Sequence, residues 1–200
     1  YHVMAQKAGT AALADAKIPY NEVQQAFAGY VYGDSTCGQR AIYQLGLTGI
    51  PVFNVNNNCS TGSTALMLGA QAVAGGISEC VLVVGFEQME AGALQAKWTD
   101  RANPLDKFVN VMNEEQGFNS APPAAQMFGG AGREYRWKYG TKKETFAKIS
   151  AKARQHAAKN PYALFKEVLS VEEILASPEV FDPLTRYQCC PPTCGAAAAI

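Results

Sequence analysis

Long apolar runs are missing from these 200 residues, although 48% of them are hydrophobic. No stretch approaches the roughly 20 residues of a membrane-spanning helix. The opening YHVMAQKAGT lacks the basic start and apolar core of a secretory signal. Charge is scarce: 17% of residues are charged and the formal net charge is zero. That argues against a disordered chain and a general nucleic-acid binder. Histidine is rarer still, with only His2 and His156. Neither is near a cysteine in sequence, so the spaced ligand pairs of a structural zinc site are not found, and no metal is expected. The six cysteines, at 37, 59, 80, 189, 190 and 194, do not make the disulfide frame of a small secreted domain in a chain this rich in core residues. Reduced thiols in an intracellular compartment are the expectation. The chain has no initiator methionine and closes on GAAAAI, which reads as an unfinished strand. Both ends look cut, and the sequence is expected to be an internal piece of a longer protein.

What is present is organised around residues 52–85, VFNVNNNCSTGSTALMLGAQAVAGGISECVLVVG. Val52, Phe53 and Val55 read as a strand, with Pro51 tolerable at its start. Asn56, Asn57 and Asn58 favour a turn and a helix N-cap. Cys59 is then expected in the first turn of a helix that stops at Gly75-Gly76. Cys80–Val84 is an unbroken apolar run, as in a parallel strand covered on both faces. Ala65, Leu66, Met67, Leu68, Ala70, Ala72, Val73 and Ala74 leave the helix almost no polar face, which predicts burial all round. Position leaves two readings of Cys59. It is a small apolar filler, or it is a thiol that the helix N-terminus tips towards the nucleophilic thiolate.

Elsewhere, Val3–Ala16 has a helical pattern ended by Ile18-Pro19, and 26–32 reads as a strand. Cys37–Leu47 predicts a helix with Ile42, Leu45 and Tyr43 inward. Alternating helices and strands with short links predict an α/β layered domain with a mostly parallel sheet. The texture changes after Gly85: 86–123 is rich in Asn, Asp, Glu, Gly and Pro, and predicts irregular structure with short helices. Met127–Tyr139 reads as a helix weakened at its start by Gly129, Gly130 and Gly132. Thr141–Lys159 is a clearer helix, with Phe146, Ile149 and Ala153 on its inward face, and Val171–Leu175 is a short one. Residues 133–166 hold ten lysines and arginines against Glu134 and Glu144. Such a run is ordinarily a solvated helix face. His156 lies within it and reads as a surface histidine.

NNNCSTGSTAL followed by an alanine-rich helix, Gly-Gly and ECVLVVGFEQME resembles the nucleophile segment of the thiolases. Within that family the likeness is to the peroxisomal 3-ketoacyl-CoA thiolases of the sterol-carrier type. GYVYGDSTCGQRAIYQLGLTGIP, AAQMFGGAGREY, KYGTKKETFAKIS and QCCPPTCGAAAAI extend it over essentially the whole chain. The resemblance implies the first half of a duplicated αβ unit in residues 1–86, an inserted, mainly helical loop domain in 87–188, and a return strand in 189–200. Where the family often has Asp-Gly before the alanine run, this chain has Cys194-Gly195.

The resemblance also implies chemistry. Cys59 would be the catalytic nucleophile, attacking the 3-keto carbon of a 3-ketoacyl-CoA in fatty-acid or branched-chain oxidation. CoA would be a co-substrate, with no permanently bound cofactor. Met127 falls near a family methionine that lines the acyl-CoA tunnel, although methionine also fills cores routinely. The cations of 133–166 would attract CoA phosphates. The family's acid and its second oxyanion site come from HDxF or NEAF, GHPxG and CxGGG motifs, none of which occurs here. These residues alone are therefore expected not to turn over. A homodimer would form through the strand at about Val52–Asn56, and the location would be peroxisomal. Two alternatives stay open: a condensing enzyme of the ketoacyl synthase kind, and a non-catalytic acyl-CoA- or lipid-binding protein.

Overall fold

Two central strands buried on both faces fix the layer order. The structure, a computed structural model, describes residues 1–92 and 95–200. The chain forms two compact units, one of Tyr1–Leu94 with Pro192–Ile200 and one of Gln95–Pro191.

The first unit is a sheet with helices on both faces. Its strands are β1 (Gln25–Gly29), β2 (Val52–Val55), β3 (Val81–Glu87) and an antiparallel return strand, Gly195–Ala199. Both β2 and β3 run parallel to β1, giving the order β2-β1-β3-return strand. Helix α1 (His2–Ala16) and the short α2 (Cys37–Ile42) serve one face; α3 (Thr61–Ala74) serves the other. Ala26 and Ala28 of β1 and Leu82, Val84 and Phe86 of β3 pack with Ala5, Ala41 and Ile42. The intervening Phe27, Val81 and Val83 pack with Ala65 and Ala72 of α3. Successive strand residues point to opposite faces, so a strand covered twice is buried along its whole length. This is why β1 is buried at every position.

Several expectations need correction. The first strand ends at Gly29 rather than near Tyr32, and α2 ends at Ile42 rather than Leu47. Ile42 is buried as expected, but Tyr43 is half exposed. Helix α3 is not buried all round: Leu66, Met67 and Val73 are each about half exposed. Only Thr61, Ala65, Gly69 and Ala72 are buried. The small residues mark the contact face because they admit close approach. A Cβ at Gly69 would come within 2.6 Å of the Val83 Cγ2.

The second unit contains α4 (Asp106–Gln116), α5 (Pro123–Tyr139), α6 (Lys143–Ala157), α7 (Val171–Ala176) and a hairpin, β4 (Glu179–Phe181) with β5 (Leu184–Thr185); the return strand of the first unit is β6. Helix α5 starts at a proline, earlier than expected, and its glycines lie inside it. There they are notches: a Cβ at Gly129 would meet Phe181, and one at Gly130 would meet Gln116. The fully buried Gln126 amide ties the preceding loop to α5, accepting from Asn119 N at 3.1 Å and donating to Asn119 O and Ala121 O. The buried residues of α6 are Ala147 and Ala151, packed with Leu169 and Ile174. Ile149 and Ala153, expected inward, are not among them: Ile149 is exposed and Ala153 is on the outer side of the helix. Among the described residues no helix is long and apolar enough to cross a membrane.

Candidate active site

The turn between β2 and α3 places Cys59 at the surface of the first unit. The cysteine is exposed, and it precedes the helix rather than lying in its first turn. Ser60 is the N-cap, not one of the asparagines, and α3 begins at Thr61. The Ser60 hydroxyl donates back to Asn57 O at 2.8 Å, so the helix starts without a side-chain cap. Uncapped first-turn N–H groups and the helix dipole make such a start attractive to negative charge.

The turn is held by its own side chains. Asn58 has φ +47°, a left-handed conformation that asparagine tolerates better than most residues. Thr61 Oγ1 accepts from Asn57 N at 2.8 Å and donates to Asn58 O at 2.6 Å. The Asn57 amide donates to Thr64 Oγ1 at 2.9 Å. Beneath it, the start of α3 rests on glycines of two strands. A Cβ at Gly29 would lie 2.9 Å from Thr61 Cγ2, and one at Gly85 would lie 3.6 Å from the Gly62 Cα. Both glycines are at or near the C-terminal ends of their strands, the edge at which open α/β sheets bind ligands.

Two anchors at the same edge were not read from the sequence. Glu87 accepts from Val31 N at 3.0 Å and Tyr32 N at 3.1 Å, clamping the chain after β1 to the end of β3. Asn54 accepts from Gly38 N at 2.9 Å and donates to Gln39 Oε1 at 2.7 Å, tying β2 to α2. A carboxylate closing an apolar strand and an asparagine inside a strand were the available signals.

Of the remaining thiols, Cys189, Cys190 and Cys194 are exposed like Cys59, but none of the three stands before an α-helix. Cys37 is buried. Burial pushes the Cys80 thiol up, and Glu22 adds to this. Partial desolvation raises the Cys189 thiol as well, helped by its neighbour Cys190. Cys194 is exposed, its thiol 3.9 Å from Met89 O. Among the described residues no three His, Cys, Asp or Glu side chains gather as a metal site.

Met127 belongs to the second unit. It is half-buried on α5 and lines a groove of about 1130 Å³ between α4 and α5, with Phe108, Val111, Met112, Ala131 and Trp137. Lys107, Arg133, Glu115 and Glu134 also line it. His156 is exposed on α6.

Comparison with known proteins bears on what this arrangement is. The profile of the thiolase N-terminal domain matches residues 1–191. The chain belongs to the thiolase family. Sterol carrier protein 2 of Oryctolagus cuniculus is 58% identical over 201 residues, covering 100% of this chain and 37% of that protein. An acetyl-CoA acetyltransferase of Methanothermobacter thermautotrophicus is 29% identical, covering 98% of this chain and 50% of that one. A solved structure, the Ltp2-ChsH2(DUF35) aldolase, matches with a TM-score of 0.72 at 22% identity, over 98% of this chain and 49% of that one; it speaks for the fold alone. This thiolase chain thus spans about two fifths to half of the length of these relatives. The layered α/β architecture expected from its sequence is the one observed.

Proposed function

We propose that this chain carries the nucleophile of a CoA-dependent acyltransferase that cleaves 3-ketoacyl-CoA. The observation that supports this most is the exposed Cys59 on an internally bonded turn, directly before an uncapped helix at the C-terminal edge of parallel strands. The Cys59 thiolate attacks the C3 carbonyl, and the C2–C3 bond breaks. Its electron pair leaves with the shorter acyl-CoA, whose C2 takes up a proton. The remaining acyl group is held as a thioester on Cys59. The CoA thiol then attacks this thioester, giving the chain-shortened acyl-CoA and returning the thiol proton to the enzyme. Splitting the reaction in two replaces one hard step by easier ones. The proton donor and the second oxyanion donors come from residues outside this chain. CoA is a co-substrate, and no permanent cofactor is needed.

In the same reading, Met127 lines the acyl path. The cations of 133–166 raise the local concentration of the CoA phosphates. The complete protein dimerises through β2, an edge strand with half-exposed Phe53. The setting is fatty-acid or branched-chain oxidation in the peroxisome.

The test is thiolytic cleavage of acetoacetyl-CoA by the complete protein, with Cys59→Ala as the comparison. The variant is expected to lose activity by about 10³-fold or more. An unchanged rate would overturn the assignment. These 200 residues alone are expected not to turn over.

A further inference from the structure

From Thr145 to Lys166 the chain has no aspartate or glutamate, while Lys148, Lys152, Arg154, Lys159 and Lys166 are cationic. Helix α6 packs Ala147 and Ala151 against α7 and turns Lys148 and Lys152 to solvent, with Ile149 64% exposed; Lys159, just past the helix, is exposed as well. The chain then makes a tight turn, with Tyr162 N donating to Asn160 Oδ1 at 2.9 Å. Tyr162 is 94% exposed, and Leu164 and Phe165 are also exposed. The Arg154 guanidinium lies 5.0 Å from the Phe165 ring centroid, which brings this loop back along the C-terminal turns of α6. Arg154, Lys159 and Lys166 therefore lie with the uncovered Tyr162, Leu164 and Phe165 at or beyond the C-terminal turns of α6. The nearest acids in sequence are Glu144, Glu167, Glu172 and Glu173, and Ser170 N donates to the Glu173 carboxylate at 2.8 Å.

A lysine face alone is ordinary. An uncovered Tyr, Leu and Phe on an acid-free cationic stretch is not, because water opposes the exposure of those side chains. We propose that this end of the second unit docks on an anionic phospholipid bilayer. Leu164 and Phe165 enter the boundary between headgroups and acyl chains, and Tyr162 sits at headgroup level. Lys148, Lys152, Lys159 and Lys166 meet lipid phosphates while their stems lie along the apolar surface. The charge complementarity selects the lipid. The aliphatic Leu164 favours a bilayer over nucleic acid, which offers bases to aromatic rings but no hydrocarbon. The inference is independent of Cys59 and its chemistry.

The experiment is vesicle co-sedimentation of this chain in the absence of CoA. Vesicles of pure phosphatidylcholine are compared with vesicles containing about 30% phosphatidylserine, an anionic content that gives a negative surface potential. Binding is expected only to the anionic vesicles, and it should fall steeply between about 50 and 500 mM salt as the Debye length shortens. K148E/K152E/K159E is expected to lose about tenfold or more in bound fraction, given about one tenfold step or less per lysine removed. Tyr162→Ser with Leu164→Ser should weaken binding at unchanged charge, with circular dichroism confirming the fold. The salt series on the unsubstituted chain decides the question even if a variant does not fold. Equal binding to neutral vesicles, no binding to either, binding that survives high salt, or capture by tRNA without capture by vesicles would each overturn the proposal.

Discussion

The Thr61 hydroxyl donates to the Asn58 carbonyl at 2.6 Å and accepts the Asn57 amide at 2.8 Å, closing the turn on which Cys59 stands. Thr61 is buried, and its methyl group fills the space left by Gly29. Thr61→Val keeps that methyl contact and removes both hydrogen bonds. The loss of a partner for a part-buried amide is expected to cost about 1–3 kcal/mol in denaturant unfolding. In the complete protein, turnover should fall by about tenfold or more, because a nucleophile displaced by about 1 Å can cost 10²-fold.

A second prediction concerns the tie between β2 and α2. At Gly38 a Cβ would meet the Asn54 side-chain oxygen and the Ala28 methyl. Ala28 is fully buried and has no room to give, and Asn54, although exposed, would have to break its bonds to Gly38 and Gln39 to move aside. Gly38→Ala is expected to destabilise the chain by about 1–3 kcal/mol through overpacking. A lowered thermal midpoint checks this, and an unchanged one would contradict it.

The thiols should react in a definite order. Burial and then Glu22 raise the Cys80 pKa, which leaves less thiolate near neutral pH and slows alkylation. Cys37 is buried, whereas Cys59 is exposed. Timed iodoacetamide labelling with peptide mass spectrometry should therefore find Cys59 modified before Cys80 and Cys37. The Cys80 rate should climb at higher pH than an unshifted thiol would require.

Acid should loosen the start of α7. Ser170 and Glu173 form a capping box, and hydrogen bonds from the Ser170 backbone and then its side chain hold the Glu173 carboxyl below its usual range. A depressed folded-state pKa gives stability that is present above the ordinary carboxylate range and lost as pH falls through the folded value. Thermal melts from neutral to acid pH should show a decline that is smaller in Glu173→Gln. An identical decline in that variant would contradict the assignment.

How much of this was legible in the chain varied with the kind of signal. The β2–turn–α3–β3 crossover was plain, because Gly75-Gly76 stops the helix and Val81–Val84 suits a strand covered twice. The exposure of α3 was not. An all-apolar helix says that burial is favourable, not which face meets the sheet, and here Ala65, Gly69 and Ala72 decide it by size. The same error appears on α6, where Ile149 looked inward and the alanines Ala147 and Ala151 are the contact. Helix α4 lay hidden in a polar stretch because its apolar residues, Phe108, Val111 and Met112, are few. Cys59 was picked out by its motif. Thr61, Asn54 and Glu87 were not, since their roles are hydrogen bonds to backbone and side chains brought near only by the fold.

Whether Cys59 carries an acyl group is the most direct question to put to the protein. The complete protein should be mixed with a 3-ketoacyl-CoA without added CoA, quenched in acid, digested and analysed by mass spectrometry. The prediction is a single acyl thioester on the peptide containing Cys59, absent from Cys59→Ser and released by CoA. An acyl group on another cysteine, or cleavage of the substrate with no acyl-enzyme on Cys59, would contradict it.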